Sequence, residues 1–252
     1  MRILSIDSSL GTQLAVVDAA PSAAGARALQ VLSQDEQADT RRHAESLGQM
    51  LSRALSAPEA AERPLDAVVA ATGPAPFTGL RAGLVTAGVV GRTRGVPVHG
   101  VSSLDAVARR ALDELGAQEG QTEPVVLVAT DARRREVYTA LFRANGPDDV
   151  TRLTEIIVCP PAQVAQRLAE QAPGPGGGSG GIDVVAGSGA SLYPELEEMA
   201  SCQKALAPVS GDALTQVRIA LARLERGEEL STQPLYLRHA DVQMPAARKR
   251  VR

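Results

Sequence analysis

The first apolar run, ILSID, ends at Asp7 in a polar turn and returns through the alternating stretch QLAVVD, a pattern that predicts a β-hairpin. Another strand is expected near ALQVLSQ, residues 28–34. In DTRRHAESLGQMLSRALSA, residues 39–57, the apolar positions Leu47, Met50, Leu51, Ala54 and Leu55 recur at helical spacing, with Asp39 or Thr40 as the expected cap. AVVAATG, residues 67–73, reads as a strand apolar on both faces. It runs into GPAPFTGLRAG, residues 73–83, which opens a helix expected to end near Gly95. VPVHGVSS then gives a short strand and SLDAVARRALDEL a further helix.

The plan repeats. VVLVATDARRREVYTALFRA is again an apolar strand ending in an aspartate, Asp131, then a polar turn and a second strand. A strand near LTEIIVC and a helix in PAQVAQRLAEQ follow, and the apolar run IDVVAGSGA ends in glycines and opens a helix, as residues 67–79 do. Two such units describe an α/β chain with the duplicated actin/Hsp70/sugar-kinase-like (RNase H-like) fold, two tandem lobes around a cleft. The expected division is residues 1–104 for the first lobe, joined by a C-terminal amphipathic helix near 210–226, and 105–209 for the second. PGPGGGSGG, residues 173–181, is a flexible insert of the second lobe, and residues 239–252 are a basic tail.

Composition narrows the function. A chain of 252 residues with 44% hydrophobic content can bury a substantial core. Net charge −3, no Trp, three Tyr and two Phe do not equip it to grip a nucleic acid unaided. The expectation is contact with RNA only through a larger assembly. No run reaches the roughly 20 apolar residues of a membrane span, and MRILSIDSS enters a strand directly, so a cytoplasmic location without membrane contact is expected. Cys159 and Cys202 have neither CxxC spacing nor a nearby histidine, and read as free thiols.

The Gly-rich turn at 73–83, with Thr78 placed as a helix cap, is built like an anion site. Yet ATP-using members of this fold need a glycine about two residues after each hairpin aspartate, so that amides approach phosphate closely. Here the turns are Asp7-Ser8-Ser9 and Asp131-Ala132-Arg133, the second continuing through Arg134 and Arg135. Phosphoryl transfer is therefore disfavoured, and no catalytic or metal-binding set is expected. His43 has Leu47 at i+4 where a helical metal site needs a second histidine, and His99 and His239 lie elsewhere. In TGLRAGLVTAGVVGRTRG, Gly79, Gly83, Ala87 and Gly91 fall every four residues, with Leu80, Leu84, Val85, Val89 and Val90 making most of the rest apolar. Interior glycines cost about 1 kcal/mol each relative to Ala, so the row implies a close helix neighbour, either the 43–55 helix or another subunit.

ILSIDSS, HAESL, GPAPFTGLRAG, GVSSLDAVA, DARRREVYTALF and PLYLR, in this order and spacing, resemble the bacterial tRNA threonylcarbamoyladenosine biosynthesis family TsaB, or YeaZ, over residues 1 to about 238. That family usually has Gly and Ser where this chain has Ala75 and Pro76, and Ser in place of Ala44. The resemblance implies a non-catalytic partner of TsaD, working with TsaD and TsaE on the adenosine next to the tRNA anticodon, with ATP and metal held by TsaD and no cofactor on this chain alone. It implies pairing through the first two helices, with TsaD or with a second copy when isolated. The expected interface is His43, Leu47, Met50, Leu51, Gly79, Leu80, Gly83, Leu84, Ala87 and Gly91, with Asp7, Thr78 and Gly79 as a vestigial anion or nucleotide contact. The rival readings are an independent ATPase or sugar kinase of the same fold and a metallopeptidase-like protein.

Overall fold

A computed structural model describes residues 1–20, 26–38, 43–115, 124–171, 181–201 and 212–237. The proposed caps Asp39 and Thr40, Cys202, nearly all of the 173–181 insert and the 239–252 tail lie outside the described residues.

The hairpin expected at the start is β1 (Arg2–Asp7) with β2 (Thr12–Ala19), followed by β3 (Leu29–Gln37), α1 (His43–Ser56) and a short α2 (Pro58–Ala61). Then come β4 (Ala67–Ala71), α3 (Phe77–Arg94), β5 (Val98–Val101) and α4 (Ser103–Leu115). The sheet runs β3-β2-β1-β4-β5, with β1 antiparallel to β2 and parallel to β4. The second sheet repeats the central arrangement. Here β6 (Val126–Asp131) is antiparallel to β7 (Val137–Asn145) and parallel to β10 (Val184–Ala186), while β8 (Asp149–Arg152) and β9 (Ile157–Cys159) both pair with β7. Between β9 and β10 lies α5 (Val164–Gln171); α6 (Ser188–Leu192) and α7 (Ala213–Glu225) complete the order. The chain therefore has the duplicated, actin-like α/β fold.

Alternation along the central strands explains how each sheet buries both faces. Leu4, Ile6, Leu14, Val16, Val68 and Ala70 point to one side, where Leu47, Met50 and Ala54 of α1 and Ala87 and Val90 of α3 cover them. Ile3, Ala15, Val17, Ala67 and Val69 point to the other, against Val217, Ala220 and Leu221 of α7. Leu104, Val107, Ala108 and Ala111 of α4 cover Val126, Val128, Ala140 and Phe142 of the second sheet. The two lobes thus meet through α4 and α7.

That junction also holds ion pairs built on buried carboxylates. Asp149, fully buried, accepts from Arg223 Nε at 3.0 Å and from Arg226, and Asp105 pairs with Arg152 at 2.8 Å and Arg223 at 2.9 Å. Arg218 pairs with Asp148 at 2.8 Å and Asp113 at 2.5 Å, and the Arg27 amide donates to Asp148 at 2.9 Å. Arginines of the first lobe and of α7 are set against carboxylates of the second lobe. The segment after α7 also crosses: the Gly100 amide donates to Leu230, the Leu235 amide donates to Thr72, and Leu235 and Leu237 pack on the second-lobe core.

Candidate functional site

The two hairpin turns and the turn before α3 face one another between the lobes, as the fold requires. Ser9, Leu10, Pro76, Ser103, Asp131 and Ser188 line the partly open cavity they leave, with about 20 Å3 of space for water. That is room for one or two waters and not for a nucleotide.

Asp7 shows why. Its carboxylate accepts from the Ser9 amide at 2.8 Å and the Ser9 hydroxyl at 2.6 Å on one oxygen, and from the Gln216 side-chain amide of α7 at 2.8 Å on the other. Burial pushes the Asp7 carboxyl above the ordinary aspartate range, and the Ser9 hydroxyl and amide pull it back in part. With both oxygens taken by protein donors, Asp7 closes its own turn and ties it to α7. Asp131 likewise accepts from the Arg133 amide at 2.8 Å and pairs with the Arg133 guanidinium at 3.2 Å. Among the described residues, no three His, Cys, Asp or Glu side chains converge as a metal-ligand set.

The anion turn is corrected in detail. Residue 76 precedes α3 as a cap without a side-chain hydrogen bond, so Thr78 is not the cap; it sits exposed inside the first helical turn. The Ser8 hydroxyl donates to the Gly79 carbonyl at 2.8 Å, filling the space between first hairpin and helix that a phosphate would need. Gly73, at φ 84°, makes the bend that brings Leu80 against it.

The glycine ridge faces inward, which corrects its assignment to a subunit interface. A Cβ added at Gly83 would overlap the Ser8 hydroxyl, and one added at Gly91 would overlap Val98 of β5. Gly79, Leu80 and Ala87 are buried in the same lobe, so the ridge lies against this chain's own first hairpin and sheet, with Ala87 in the core shared with α1. Leu47 and Met50 belong to that core as well, with Leu51 and Leu84 half-buried at its margin. The His43 side chain lies outside the described residues.

Sequence reasoning missed the side of α3 that does face out. Val85 is 65% and Val89 56% exposed, with exposed Gly88 between them. On α1, Gly48 is also exposed, and at both glycines a Cβ would find nothing within 4 Å. The signals available were Gly88, off the four-residue row of α3, and Gly48, inside the HAESLGQ stretch. Also unforeseen is an exposed cluster at the start of α3. The Arg81 guanidinium lies 3.5 Å from the Phe77 ring centre and donates to the Tyr236 hydroxyl at 2.9 Å, with the two rings 5.1 Å apart. The Phe77/Arg81 spacing of four residues was visible; Tyr236, distant in sequence, was not.

No helix among the described residues is long and apolar enough to cross a membrane. A family model described as TsaD, tRNA N6-adenosine threonylcarbamoyltransferase, matches residues 30–210. An uncharacterized protein of Mycobacterium tuberculosis is 45% identical over 123 residues, 47% of this chain and 53% of that protein. Another, of Mycobacterium leprae, is 40% identical over 140 residues, 56% of this chain and 36% of that protein. The chain therefore spans about half the length, or less, of the curated relatives it matches. Among solved structures, a Pseudomonas aeruginosa protein described as similar to the peptidase YeaZ superposes with TM-score 0.70 at 23% identity, over 94% of this chain and 99% of that one. YeaZ of Pseudomonas aeruginosa gives 0.67 at 23% identity over the same shares. With a family match over more than half its length, the chain belongs to the TsaD family, and its fold is that of the YeaZ (TsaB) proteins.

Proposed function

We propose that this chain is a non-catalytic subunit of the system that makes N6-threonylcarbamoyladenosine in tRNA. It docks on a catalytic TsaD-type protein, which holds ATP and metal and acts with TsaE on the adenosine next to the anticodon. Without that partner, two copies pair through the same face, in the cytoplasm. The family match supplies the reaction; the closed cleft and the spent Asp7 argue against this chain performing it, or acting as a free-standing ATPase or sugar kinase. Nothing converging in the described residues favours a metallopeptidase.

The observation that carries the reading is the outer side of α1 and α3. Exposed mid-helix glycines cost about 1 kcal/mol each relative to Ala, and nothing within 4 Å in this chain accounts for Gly48 or Gly88. Gly88, in the same helix as exposed Val85 and Val89, leaves open surface where another backbone can approach closely, and Gly48 leaves such a surface on α1. Gly88→Leu separates docking from folding, because Leu is a good helix former entering open space. The expected result is an unchanged or higher thermal midpoint and at least a tenfold loss of co-elution with the cognate TsaD-type protein, about 1.4 kcal/mol. Normal co-elution by the Gly88→Leu chain sinks the proposed docking face.

A further inference from the structure

Arg81 lies one turn into α3 and is exposed, yet its own chain holds it in place. The guanidinium stacks on Phe77 at 3.5 Å from the ring centre, lies 5.6 Å from the Tyr236 ring centre, and donates through Nε to the Tyr236 hydroxyl at 2.9 Å. Its two terminal nitrogens have no partner, and no carboxylate pairs with it, among the described residues. An exposed arginine is ordinarily a solvated side chain that a partner must first immobilise. Here the immobilising is done, and the open end of the fork is left for another group.

Tyr236 reaches the cluster from far along the chain. On either side of it Leu235 and Leu237 pack on the second-lobe core, and the Leu235 amide donates to the Thr72 carbonyl of the first lobe. Tyr236 is 43% and Phe77 45% exposed, in a chain with only five Phe and Tyr residues together. Half-open rings around an arginine are the composition of an anchor in a protein contact.

The helix sets what surrounds that anchor. At 3.6 residues per turn, Val85, Gly88 and Arg92, which follow Arg81 by four, seven and eleven residues, fall on its side of α3, and all three are exposed. A Cβ at Gly88 would meet nothing within 4 Å, and Arg92 also has no partner among the described residues. Arg92 stands about 16 Å along the axis from Arg81. The stripe therefore reads cation, apolar, glycine, cation, on a chain whose net charge is −3. No acidic side chain lies in the first turn of α3, so the positive end of the helix is not offset beside Arg81.

We propose that Arg81 anchors the docking face by taking an Asp or Glu carboxylate of the TsaD-type protein on its two terminal nitrogens. Val85 and Gly88 then meet apolar residues of that partner, and Arg92 meets a second acidic group at the far edge. This rests on the pairing reading above and adds the chemistry of the partner's surface: acidic, apolar, acidic. An apolar middle between the cations suits a protein, and not a nucleic acid backbone with its continuous charge.

The test is the affinity of the full chain for the cognate TsaD-type protein, by titration calorimetry at about 0.01 and 0.15 M salt, with the thermal midpoint of each variant alongside. Arg81→Met keeps an unbranched side chain over the Phe77 ring and removes the fork. It should leave the midpoint nearly unchanged, weaken binding at least tenfold and abolish most of the salt dependence of the native affinity. Arg81→Lys should regain only part of the loss, because an ammonium neither forks nor stacks as a guanidinium does. Tyr236→Phe, which removes only the hydroxyl that holds Nε, should weaken binding several-fold. Native affinity in Arg81→Met overturns the inference and leaves the pairing reading standing. Weakened binding that keeps the native salt dependence overturns the carboxylate, and weakened binding with a fallen midpoint makes the cluster a brace of the fold, which overturns the inference too. No binding by the native chain overturns this inference and the pairing reading together.

Discussion

The two hairpin turns occupy equivalent places in the duplicated lobes and have opposite fates. At Asp7-Ser8-Ser9 every polar group turns inward: Asp7 holds Ser9 and Gln216, and Ser8 is pressed against the Gly79 carbonyl and Gly83. At Arg133-Arg134-Arg135 all three residues are exposed on a left-handed backbone, with the Arg133 guanidinium paired to Asp131. One turn has become a buried peg between sheet and helix, the other an exposed cationic edge. The difference teaches that a hairpin turn after a strand-end aspartate can be closed by its own hydrogen bonds or carry bulky residues on left-handed backbone, and neither form offers the small residues that phosphate wrapping needs. The arginine–aspartate network at the junction of α4 and α7 ties the lobes together.

The largest effect expected from breaking this contrast is at the sealed turn. Gly83→Leu forces a side chain into the Ser8 hydroxyl and should destabilise by about 1–3 kcal/mol or more. The thermal midpoint should fall by several degrees, while protein that remains folded still docks its partner. A normal midpoint with lost docking would return the ridge to an intersubunit role.

Asp7→Asn comes next. It keeps the volume but sets an amide nitrogen where a carboxylate oxygen now accepts, and should cost roughly 1–2 kcal/mol. A partner-dependent activity assay should move by no more than the loss of folded protein; a hundredfold fall would make Asp7 catalytic. The pH dependence has a definite sign. Because burial raises the Asp7 carboxyl in the folded state, its contribution to stability is present below the unfolded value, about pH 4, and is lost as pH rises through the folded value. The stability of the native chain relative to Asp7→Asn, followed by denaturant titration, should therefore decline with rising pH across that window. A rise would contradict the stated effect of burial.

The smallest effect should be at the open turn. Arg135→Gly removes one left-handed Cβ and should stabilise by up to about 1 kcal/mol, a rise of roughly 2–4 °C in the midpoint. Destabilisation would mean that the Arg135 side chain supports the fold.

Much of this architecture was legible. Most strands read correctly because apolar runs such as AVVAA are buried on both faces, whereas β8, the polar DVTR at a sheet edge, went unread; the ends of α3 followed from its turn and from Gly95. What period alone left open was the neighbour each glycine row approaches. Gly83 and Gly88 lie on one helix, yet the first meets Ser8 and the second meets open space, a distinction set by tertiary packing. The Thr78 cap failed because the helix begins two residues before the start that such a cap implies, at Phe77. The ionic junction was hidden because its partners, such as Arg223 and Asp105, are 118 residues apart.

The most direct measurement of the central claim is threonylcarbamoyl transfer to cognate tRNA, in reactions holding this chain, the cognate TsaD-type protein, or both, with TsaE, ATP and the threonylcarbamoyl donor. The account predicts no product from this chain without the TsaD-type protein, product that increases when both are present, and loss of that increase in a Gly88→Leu chain that is at least as heat-stable as the native one. Product formed by this chain without the TsaD-type protein, or full stimulation by Gly88→Leu, would contradict it.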